Sequence, residues 1–349
     1  MTRAPCPLFV ELCAGTAAVS LRLAHPMAKP PVSRMGAKTG YSNALLNALG
    51  LAAGQGADAY LWCEPDAGVR LLLEAYRDHA LALAAAEVIR GWSDEEPRAL
   101  WDRLRAEGEP RGPEPREVVR WLNVEAWSNS GRYMGPDRPS ACHEPGWVAS
   151  ITSDGIARRA DALPTLPATI HPDARTVDPR EVARWCLLIT RSFGQKGPQA
   201  GYAPPVGNEK CIMRRWRLDQ PGPELARLPV LPADIVPDAR QVEPVSLPEG
   251  TVAYIDGPYE NTSGYAHLLP RSEQLALARR RSDAGAVVAI SEQEPLNEEL
   301  GEGWSAVEIT MARKGPRRTF SKQQAEYLTL NRPSAIRFDG QRSLFGGTT

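Results

Sequence analysis

The stretch "PLFVELCAGTAAVSLRLA" (residues 7–24) decides the fold. It opens with a short apolar run that carries an acid, Glu11, near its end, and this run predicts a buried β-strand. Small residues follow, and apolar residues then recur at helical spacing over 16–24. A small-residue turn before a helix lets the backbone approach a ligand and offers free N–H groups, as in doubly wound folds that hold nucleotide-like cofactors. A tight strand-to-helix turn without a ligand is the alternative.

The same alternation of strands and helices continues on both sides of a long middle region. Near the N-terminus the pattern predicts a helix at 41–51, a strand at 58–66 that ends in acids, and one long amphipathic helix at 67–89. After the middle region it predicts a strand at 251–256, a helix at 271–285, a strand at 286–291 and a hairpin of 304–310 with 325–331. This rhythm indicates the α/β class, with a doubly wound, Rossmann-like sheet.

The middle region contains an internal repeat. "PREVVRW" (115–121) recurs as "PREVARW" (179–185) with six of seven residues identical, and "LPTLPATIHPDARTV" (163–177) recurs as "LPVLPADIVPDARQV" (228–242) with eleven of fifteen identical. Each copy opens with a predicted helix, since proline suits a first helical turn, and closes with an apolar segment and an aspartate. Two copies are too few for a solenoid. We interpret them as a mostly helical, duplicated insertion.

The expected organisation follows from these patterns. Residues 1–110 form the first half of the α/β domain, 111–243 the insertion and a possible target-recognition region, 244–333 the second half, and 334–349 a tail.

Composition limits the partners. The 349 residues carry a formal net charge of −1, so a DNA-binding surface would have to be a local patch. The six cysteines are scattered without metal-ligand spacing, which predicts a reduced chain without a metal site. No apolar run approaches the roughly 20 residues of a membrane span, and the N-terminus lacks a signal-peptide pattern, so we expect no membrane partner and a cytoplasmic location.

A second stretch, "YIDGPYENTSGY" (254–265), carries the chemistry. Asp256 ends a predicted strand, and Gly257 and Pro258 lead to Tyr259. A planar base extruded from a duplex could donate one amino hydrogen to the Asp256 carboxylate and the other to the Gly257 carbonyl while stacking on Tyr259. The alternative is a simple strand-ending turn, because Gly-Pro is a strong turn signal.

Two further features suit a nucleotide-binding protein. Glu64 follows the strand at 58–66 and could accept hydrogen bonds from ribose hydroxyls, or it could be a surface acid that opens a turn at Pro65. The segment "RKGPRRTFSK" (313–322) is strongly basic and suits phosphate contacts or a solvated hairpin tip. Its charged residues are Arg313, Lys314, Arg317, Arg318 and Lys322.

These motifs together resemble the Dam-like DNA adenine-N6 methyltransferases, especially the branch found in phages and prophages. The resemblance is carried by "FVELCAG", "RMGAKTGYSNALLNALG", "YIDGPYENTSGYAH", "SDAGAVVAISEQEPL" and "RKGPRRTFSKQQAEYLTLN", with weaker support from "RSFGQKGP" (191–198) and "LPVLPADIVPDARQV". It covers the first 75 and the last 110 residues well. It implies a Rossmann-like methyltransferase sheet, S-adenosylmethionine as cofactor and double-stranded DNA as substrate.

The resemblance also implies roles for single residues. The cofactor loop would consist of Glu11, Ala14, Gly15 and Thr16. Lys38 would meet the methionine end of the cofactor, Glu64 would hold its ribose, and Asp238 would lie near its adenine. The target-base loop would consist of Asp256, Gly257, Pro258 and Tyr259.

The chain departs from the family in three places. The cofactor strand precedes the "RMGAK" segment, the usual Asp-Pro-Pro-Tyr loop reads Asp-Gly-Pro-Tyr, and the repeat offers Asp173 beside Asp238. We favour Asp238 because it comes directly before the predicted strand at 251–256 that leads to Asp256, as the arrangement in the family implies. A glycine supplies the same backbone carbonyl as proline and costs about 1 kcal/mol of extra ordering, so we expect the loop to keep its role.

Three other functions remain open from the sequence. Cytosine also carries a planar exocyclic amino group, so N4 methylation of cytosine would use the same loop. A catalytically decayed, methyltransferase-like DNA-binding protein would explain Gly257 and the motif order. A methyltransferase with a substrate other than DNA fits the basic segment less well.

Overall fold

The computed structural model describes residues 6–32, 37–92, 96–108, 177–190, 202, 225–242, 247–260, 267–310 and 325–332. Its strands are β1 (Phe9–Leu12), β2 (Tyr60–Cys63), β3 (Ala233–Val236), β4 (Val252–Ile255), β5 (Val287–Glu292), β6 (Ser305–Glu308) and β7 (Tyr327–Leu330). Its α-helices are α1 (Ala18–Ala24), α2 (Ser42–Ala48), α3 (Ala67–Arg77), α4 (His79–Gly91), α5 (Pro97–Ala106), α6 (Pro179–Thr190), α7 (Arg271–Asp283) and α8 (Asn297–Leu300). Short 3-10 turns cover Lys38–Gly40 and Ala239–Gln241.

The strands form one seven-stranded mixed sheet in the order β3-β2-β1-β4-β5-β7-β6. The first five strands in this order run parallel to one another, whereas β7 runs antiparallel to both β5 and β6. The order β3-β2-β1-β4-β5 is that of a doubly wound dinucleotide-binding sheet, in which the connections change direction beside β1. The predicted α/β class is therefore confirmed, and the sheet is compatible with a Rossmann-like fold.

Side chains alternate across β1 and bury both faces of the sheet. Phe9 belongs to a core that also contains residues of α1, α2, α3, α4 and α6, whereas Val10 and Leu12 belong to a second core closed by α7. A strand that is buried on both faces needs an almost continuous apolar run, which β1 supplies. Glu11 is the exception, and its side chain is buried as well.

The region predicted as one helix at 67–89 forms two helices, α3 and α4, so that prediction was wrong. The break falls at Asp78, whose side chain accepts hydrogen bonds from the backbone N–H groups of Ala80 and Leu81. An aspartate that caps a new helix competes with continuation of the old one, and apolar periodicity alone does not reveal this. Asp66 caps the start of α3 in the same way.

The second copy of the repeat contributes to the α/β domain itself. "PREVARW" opens helix α6, as predicted, and α6 packs against α3, α4 and α5. The closing segment of this copy forms β3, which pairs with β2 in the central sheet. The sheet therefore begins again at residue 233, inside the range expected for the insertion. The first copy lies outside the described residues apart from Val177, so the duplicated insertion stays a prediction.

The described residues add two simpler findings. The cysteines among them, Cys6, Cys13, Cys63 and Cys186, all carry free thiols. None of the helices in these ranges is both long and apolar enough to cross a bilayer.

The packing of α3 on α6 predicts an unusual effect of a glycine-to-alanine change. A Cβ atom on Gly68 in α3 would overlap the indole ring of Trp185 in α6. We expect Gly68→Ala to lower the free energy of unfolding by about 1–3 kcal/mol, because the new methyl group overpacks this contact. Urea unfolding followed by circular dichroism measures the loss.

Gly91, at the end of α4, is the matched control because, beyond its own helix, no described residue has an atom within 4 Å of the position that its Cβ would take. Gly91→Ala should leave the free energy of unfolding unchanged or raise it by up to about 1 kcal/mol, since alanine favours helix. Equal effects of the two changes would contradict the close packing of α3 on α6.

Candidate functional site

The ends of the five parallel strands lie along one edge of the sheet, which we call the carboxyl edge. The chain leaves β1 at Cys13, β2 at Glu64 and β4 at Asp256, and the pairing continues one step further through hydrogen bonds from Ala14 N to Cys63 O and from Asp256 N to Leu12 O. In doubly wound sheets ligands bind at this edge, beside the point where the strand order reverses. That point is between β1 and β4.

The turn after β1 has an unusual backbone. Cys13, Gly15 and Ala17 all have positive φ angles, of 61°, 52° and 47°. Two of them are not glycine, and left-handed backbone costs such residues of order 1 kcal/mol or more, so surrounding contacts must hold the turn in place. Thr16 is buried within it, and its Oγ1 has no hydrogen-bond partner in the described part of the chain.

Glu11 points into the protein and holds the start of α1. Its carboxylate accepts hydrogen bonds from the backbone N–H and the hydroxyl of Ser20, and the indole of Trp62 donates to that hydroxyl at 2.9 Å. Burial raises the pKa of Glu11 to about 7, against the opposing effect of the bonds from Ser20. The contact with a cofactor that the resemblance implies for Glu11 stays a prediction.

Glu64 connects the ends of β1 and β2. Its Oε2 accepts a hydrogen bond from Gly15 N at 2.8 Å, and its Oε1 accepts one from Asp66 N at 2.9 Å. The side chain is buried although the residue begins a turn. The structure thus brings two predicted cofactor residues, Gly15 and Glu64, into direct contact.

Asp256 and Lys38 form a buried ion pair. Lys38 lies in the 3-10 turn at Lys38–Gly40, and its Nζ is 2.7 Å from Oδ1 of Asp256. The Lys38 side chain is 7% exposed and that of Asp256 is 18% exposed, so part of Asp256 remains accessible from outside. The two residues were predicted for different ligands, and the structure brings them together.

Tyr259 completes the group, together with a residue that no sequence motif singled out. Lys38 Nζ lies 4.7 Å from the centre of the Tyr259 ring, within the range of a cation–π contact. The Tyr259 hydroxyl donates to Oε1 of Glu326, and this oxygen is 3.5 Å from Lys38 Nζ. Glu326 immediately precedes β7, so a signal was available: an acid that lies between a basic segment and a strand.

The charged side chains in this group shift one another's pKa values. Burial raises the pKa of Asp256 to about 6, Lys38 opposes this rise, and Glu326 and Glu292 add to it. Burial alone would lower the pKa of Lys38, but the carboxylates of Asp256 and Glu326 outweigh it and hold that pKa well above the usual value. Lys38 is therefore a cation at neutral pH, and Asp256 titrates close to the physiological range.

Gln274 explains the glycine at position 257. The carboxamide of Gln274, on α7, donates to the carbonyl oxygens of Pro258 and Leu269, both at 3.0 Å. A Cβ atom on Gly257 would overlap this carboxamide and lie 2.6 Å from its Nε2. The sequence suggested that glycine only loosens the loop relative to proline. In the structure, position 257 must also leave room for Gln274.

Asp238 follows β3 at the same edge, and an arginine engages its carboxylate. Asp238 accepts hydrogen bonds from the backbone N and the guanidinium of Arg240, and these bonds lower the pKa of Asp238. The side chain is 29% exposed. Asp173, the rival from the first repeat copy, lies outside the described residues, so the choice between the two stays open.

The remaining predicted residues fall outside the described part of the chain. These are the basic residues Arg313, Lys314, Arg317, Arg318 and Lys322. The described residues contain no group of three or more His, Cys, Asp or Glu side chains that could hold a metal ion.

The overlap between position 257 and Gln274 can be measured with a double-mutant cycle. We expect Gly257→Ala to lower the free energy of unfolding by about 1–3 kcal/mol through overpacking. Gln274→Ala should lower it by about 1 kcal/mol for each of its two lost hydrogen bonds. Without the carboxamide the new methyl group has room, so the double variant should lose at least about 1 kcal/mol less than the sum of the single losses.

The control for this cycle pairs Gln274→Ala with Gly91→Ala, whose effects should add because the positions do not touch. Additive losses in the Gly257 and Gln274 pair would contradict the steric explanation.

Comparisons with known proteins do not indicate a function for this site. No protein-family model matches the chain, and a search of curated proteins found no significant match. The functional proposal therefore depends on the residues and their geometry.

Proposed function

We propose that the protein is a DNA methyltransferase that transfers a methyl group from S-adenosylmethionine to the exocyclic N6 amino group of adenine. One observation carries the proposal: Asp256, Tyr259 and Lys38 lie together at the carboxyl edge, at the point where the strand order reverses. The resemblance implied roles at one active site for these residues, although Lys38 lies more than 200 positions before Asp256 and Tyr259 in the chain. The seven-stranded sheet with its antiparallel β7 fits the methyltransferase sheet that the resemblance also implies.

The residues at the β1 side of this edge fit the proposed cofactor. Apart from its own chain neighbours, no described residue has an atom within 4 Å of the position that a Cβ on Gly15 would take, so this part of the structure leaves the backbone open to a ligand there. Thr16 offers a buried hydroxyl that no described residue satisfies, and such orphan groups are rare in native proteins. Glu64 and Asp238 provide carboxylates that can accept hydrogen bonds from ribose hydroxyls and from an adenine amino group. When bound, S-adenosylmethionine supplies an electrophilic methyl group on a positively charged sulfur.

The loop after β4 would activate the amino group. The nitrogen is a poor nucleophile because its lone pair is delocalised into the ring. Hydrogen bonds to the Asp256 carboxylate and the Gly257 carbonyl would favour a tetrahedral nitrogen whose lone pair points out of the ring plane. These acceptors would also stabilise the positive charge that develops on nitrogen, and the fixed loop would supply alignment. The Asp256 carboxylate would take up the amino proton that the methylated nitrogen then loses. The Tyr259 ring would stack on the extruded base.

Sheet topology supports DNA contact by the basic segment. Strand β7 runs antiparallel to both β5 and β6. Therefore β6 ends, and β7 begins, at the edge of the sheet where Asp256 lies. The described chain therefore stops at Thr310 and resumes at Ala325 on the side of the sheet that carries the proposed site. A basic segment that starts there is well placed to contact phosphates around an extruded base.

The rival functions differ in what they require of this geometry. Methylation of the cytosine N4 amino group would use the same acceptors, so only product analysis separates it from adenine methylation. A decayed DNA-binding protein would have no need to keep Asp256 buried at a cost to its ionisation. The buried Lys38 and Asp256 pair therefore favours an enzyme.

The first test is loss of the acceptor. We expect wild-type protein, DNA and isotopically labelled S-adenosylmethionine to yield N6-methyladenine on nucleoside mass spectrometry. Asp256→Asn should lower the methylation rate by at least about 100-fold, because the amide is a weaker acceptor, while cofactor affinity stays within about threefold. The rate should also fall on the acid side of about pH 6, where the Asp256 carboxylate takes up a proton.

Glu302→Gln, an exposed change on the loop before β6, is the control and should keep full activity. N4-methylcytosine as the only product would favour the cytosine alternative. Undiminished methylation by Asp256→Asn would move the catalytic site elsewhere.

The second test concerns the cofactor. Glu64→Gln keeps an oxygen that can accept from Gly15 N but removes the charge that would hold ribose hydroxyls. We expect titration calorimetry to show at least about tenfold weaker binding of S-adenosylmethionine, since hydrogen bonds to charged acceptors are worth about 1.5–3 kcal/mol. Glu74→Gln, a buried acid on α3 that pairs with Arg77, is the control and should bind the cofactor normally. Equal affinities of wild type and Glu64→Gln would remove Glu64 from the site.

A further inference from the structure

Glu326 stands where the basic segment 311–324 meets strand β7, and it touches two groups of the proposed site. Its Oε1 accepts from the Tyr259 hydroxyl and lies 3.5 Å from Lys38 Nζ. The Glu326 side chain is 9% exposed, so these contacts are buried. The backbone around it is fixed too, because Glu326 N donates to Thr310 Oγ1 at 2.8 Å and Glu326 O accepts from Ile309 N at 2.7 Å.

We propose that Glu326 is a positioning residue that holds the Tyr259 ring and offers Lys38 a second carboxylate, so that Asp256 can release Lys38 when a target amino group arrives. This inference rests on the proposed function, since it assigns Asp256 the role of amino-group acceptor.

The need for a second carboxylate follows from burial. Lys38 Nζ is 2.7 Å from Asp256 and 3.5 Å from Glu326, so a small displacement moves it from one partner towards the other. An ammonium that lost Asp256 without another partner would be an uncompensated buried charge, which is strongly unfavourable. Glu326 removes most of that penalty. The amino group then competes for Asp256 at a lower cost.

The same residue orients the aromatic ring. The Tyr259 hydroxyl is bonded to Glu326, and the face of the ring lies under Lys38 at 4.7 Å. A ring fixed at its hydroxyl end loses little freedom when a base stacks on it. Pre-organisation of this kind lowers the entropic cost of binding.

Asp256 has charged and titratable neighbours on every element around it. Lys38 lies on the 3-10 turn, Glu326 before β7, Glu292 at the end of β5, and Glu11, Cys13 and Tyr254 on β1, its turn and β4. Lys38 lowers the pKa of Asp256, and the nearby carboxylates of Glu326 and Glu292 raise it. Removal of the Glu326 charge should therefore lower the pKa of Asp256 from its value of about 6.

The first experiment reads this effect without any substrate. Carbon-13 NMR of protein labelled at aspartate carboxyl carbons follows the titration of Asp256, identified as the signal lost in Asp256→Asn. We expect a midpoint near pH 6 in wild type and a clearly lower midpoint in Glu326→Gln. Glu302→Gln, which is exposed, should leave the midpoint unchanged. Equal midpoints in wild type and Glu326→Gln would overturn the inference.

The second experiment separates substrate binding from chemistry. In Glu326→Gln the glutamine can still accept from Tyr259, but Lys38 has lost the second charge. We expect KM for DNA to rise at least about tenfold at pH 8, the acid limb of the pH–rate profile to move to lower pH, and the cofactor Kd to stay constant. Tyr259→Phe keeps Glu326 and should leave the acid limb where it is in wild type. An unchanged KM and pH profile in Glu326→Gln would also overturn the inference.

Glu326→Asp keeps the inference testable if Glu326→Gln does not fold. It retains the charge but withdraws the carboxylate by one methylene group. The midpoint of the Asp256 titration should then stay within about half a pH unit of the wild-type value. Methylation should slow, because the contact with Tyr259 is lost. A midpoint that falls by a full unit or more, or a rate equal to that of wild type, would contradict the proposed role.

The two proposals can fail separately. A wild-type protein that methylates no DNA, yet shows the expected shift of the Asp256 midpoint in Glu326→Gln, would refute the methyltransferase function and support the placement of Glu326. If the wild-type protein methylates DNA, but the Asp256 midpoint is the same in wild type and Glu326→Gln, the methyltransferase function would be supported and the role of Glu326 refuted.

Discussion

The parallel pairing of β1 with two strands at once is the constraint on which the site depends. β1 hydrogen-bonds to β2 on one side and to β4 on the other, in registers that align Leu12 with both Cys63 and Ile255. The residues after these three strands therefore leave the sheet side by side. A slip of the pairing by one residue would exchange the two faces of a strand and separate the acids that follow it. Burial of apolar side chains on both faces makes such a slip unfavourable.

The sequence predicted those parts of the fold that depend on local pattern. Apolar runs predicted β1, β2, β4, β5, β6 and β7, and small residues marked the turn at Gly15, because both signals lie within a few adjacent positions. β3 was missed, since its apolar run lies in the stretch assigned to a mostly helical insertion. The two helices separated by Asp78 were missed, since a side-chain cap leaves the apolar periodicity almost intact. Glu326 and Gln274 were missed for a different reason. Each acts on a loop 16 or more positions away. Glu326 stands out locally as an acid between a basic segment and a strand, but the local pattern does not reveal which residue it contacts.

The carboxyl edge holds several carboxylates close together, and each of them contacts another group of the protein. Glu11 bonds to Ser20, Glu64 to Gly15 and Asp238 to Arg240, while Asp256 shares Lys38 with Glu326. Sites arranged in this way begin with their acceptors oriented and partly desolvated, which reduces the reorganisation that a ligand must induce. The cost appears as raised pKa values at Glu11 and Asp256. Burial disfavours the charged forms of these two carboxylates, so both titrate near neutral pH.

The place of Glu326 at the root of segment 311–324 has a thermodynamic consequence. Any ligand that binds this segment and shifts its exit into β7 also shifts Glu326, and with it Lys38 and the Tyr259 ring. Linkage makes such an effect reciprocal, so a base that settles on Tyr259 must tighten or loosen the hold on that ligand by the same factor. A polyanion and a single nucleobase would then act as heterotropic effectors of one another. In the proposed methyltransferase, Glu326 would thereby couple contact with the DNA backbone to the orientation of one aromatic ring.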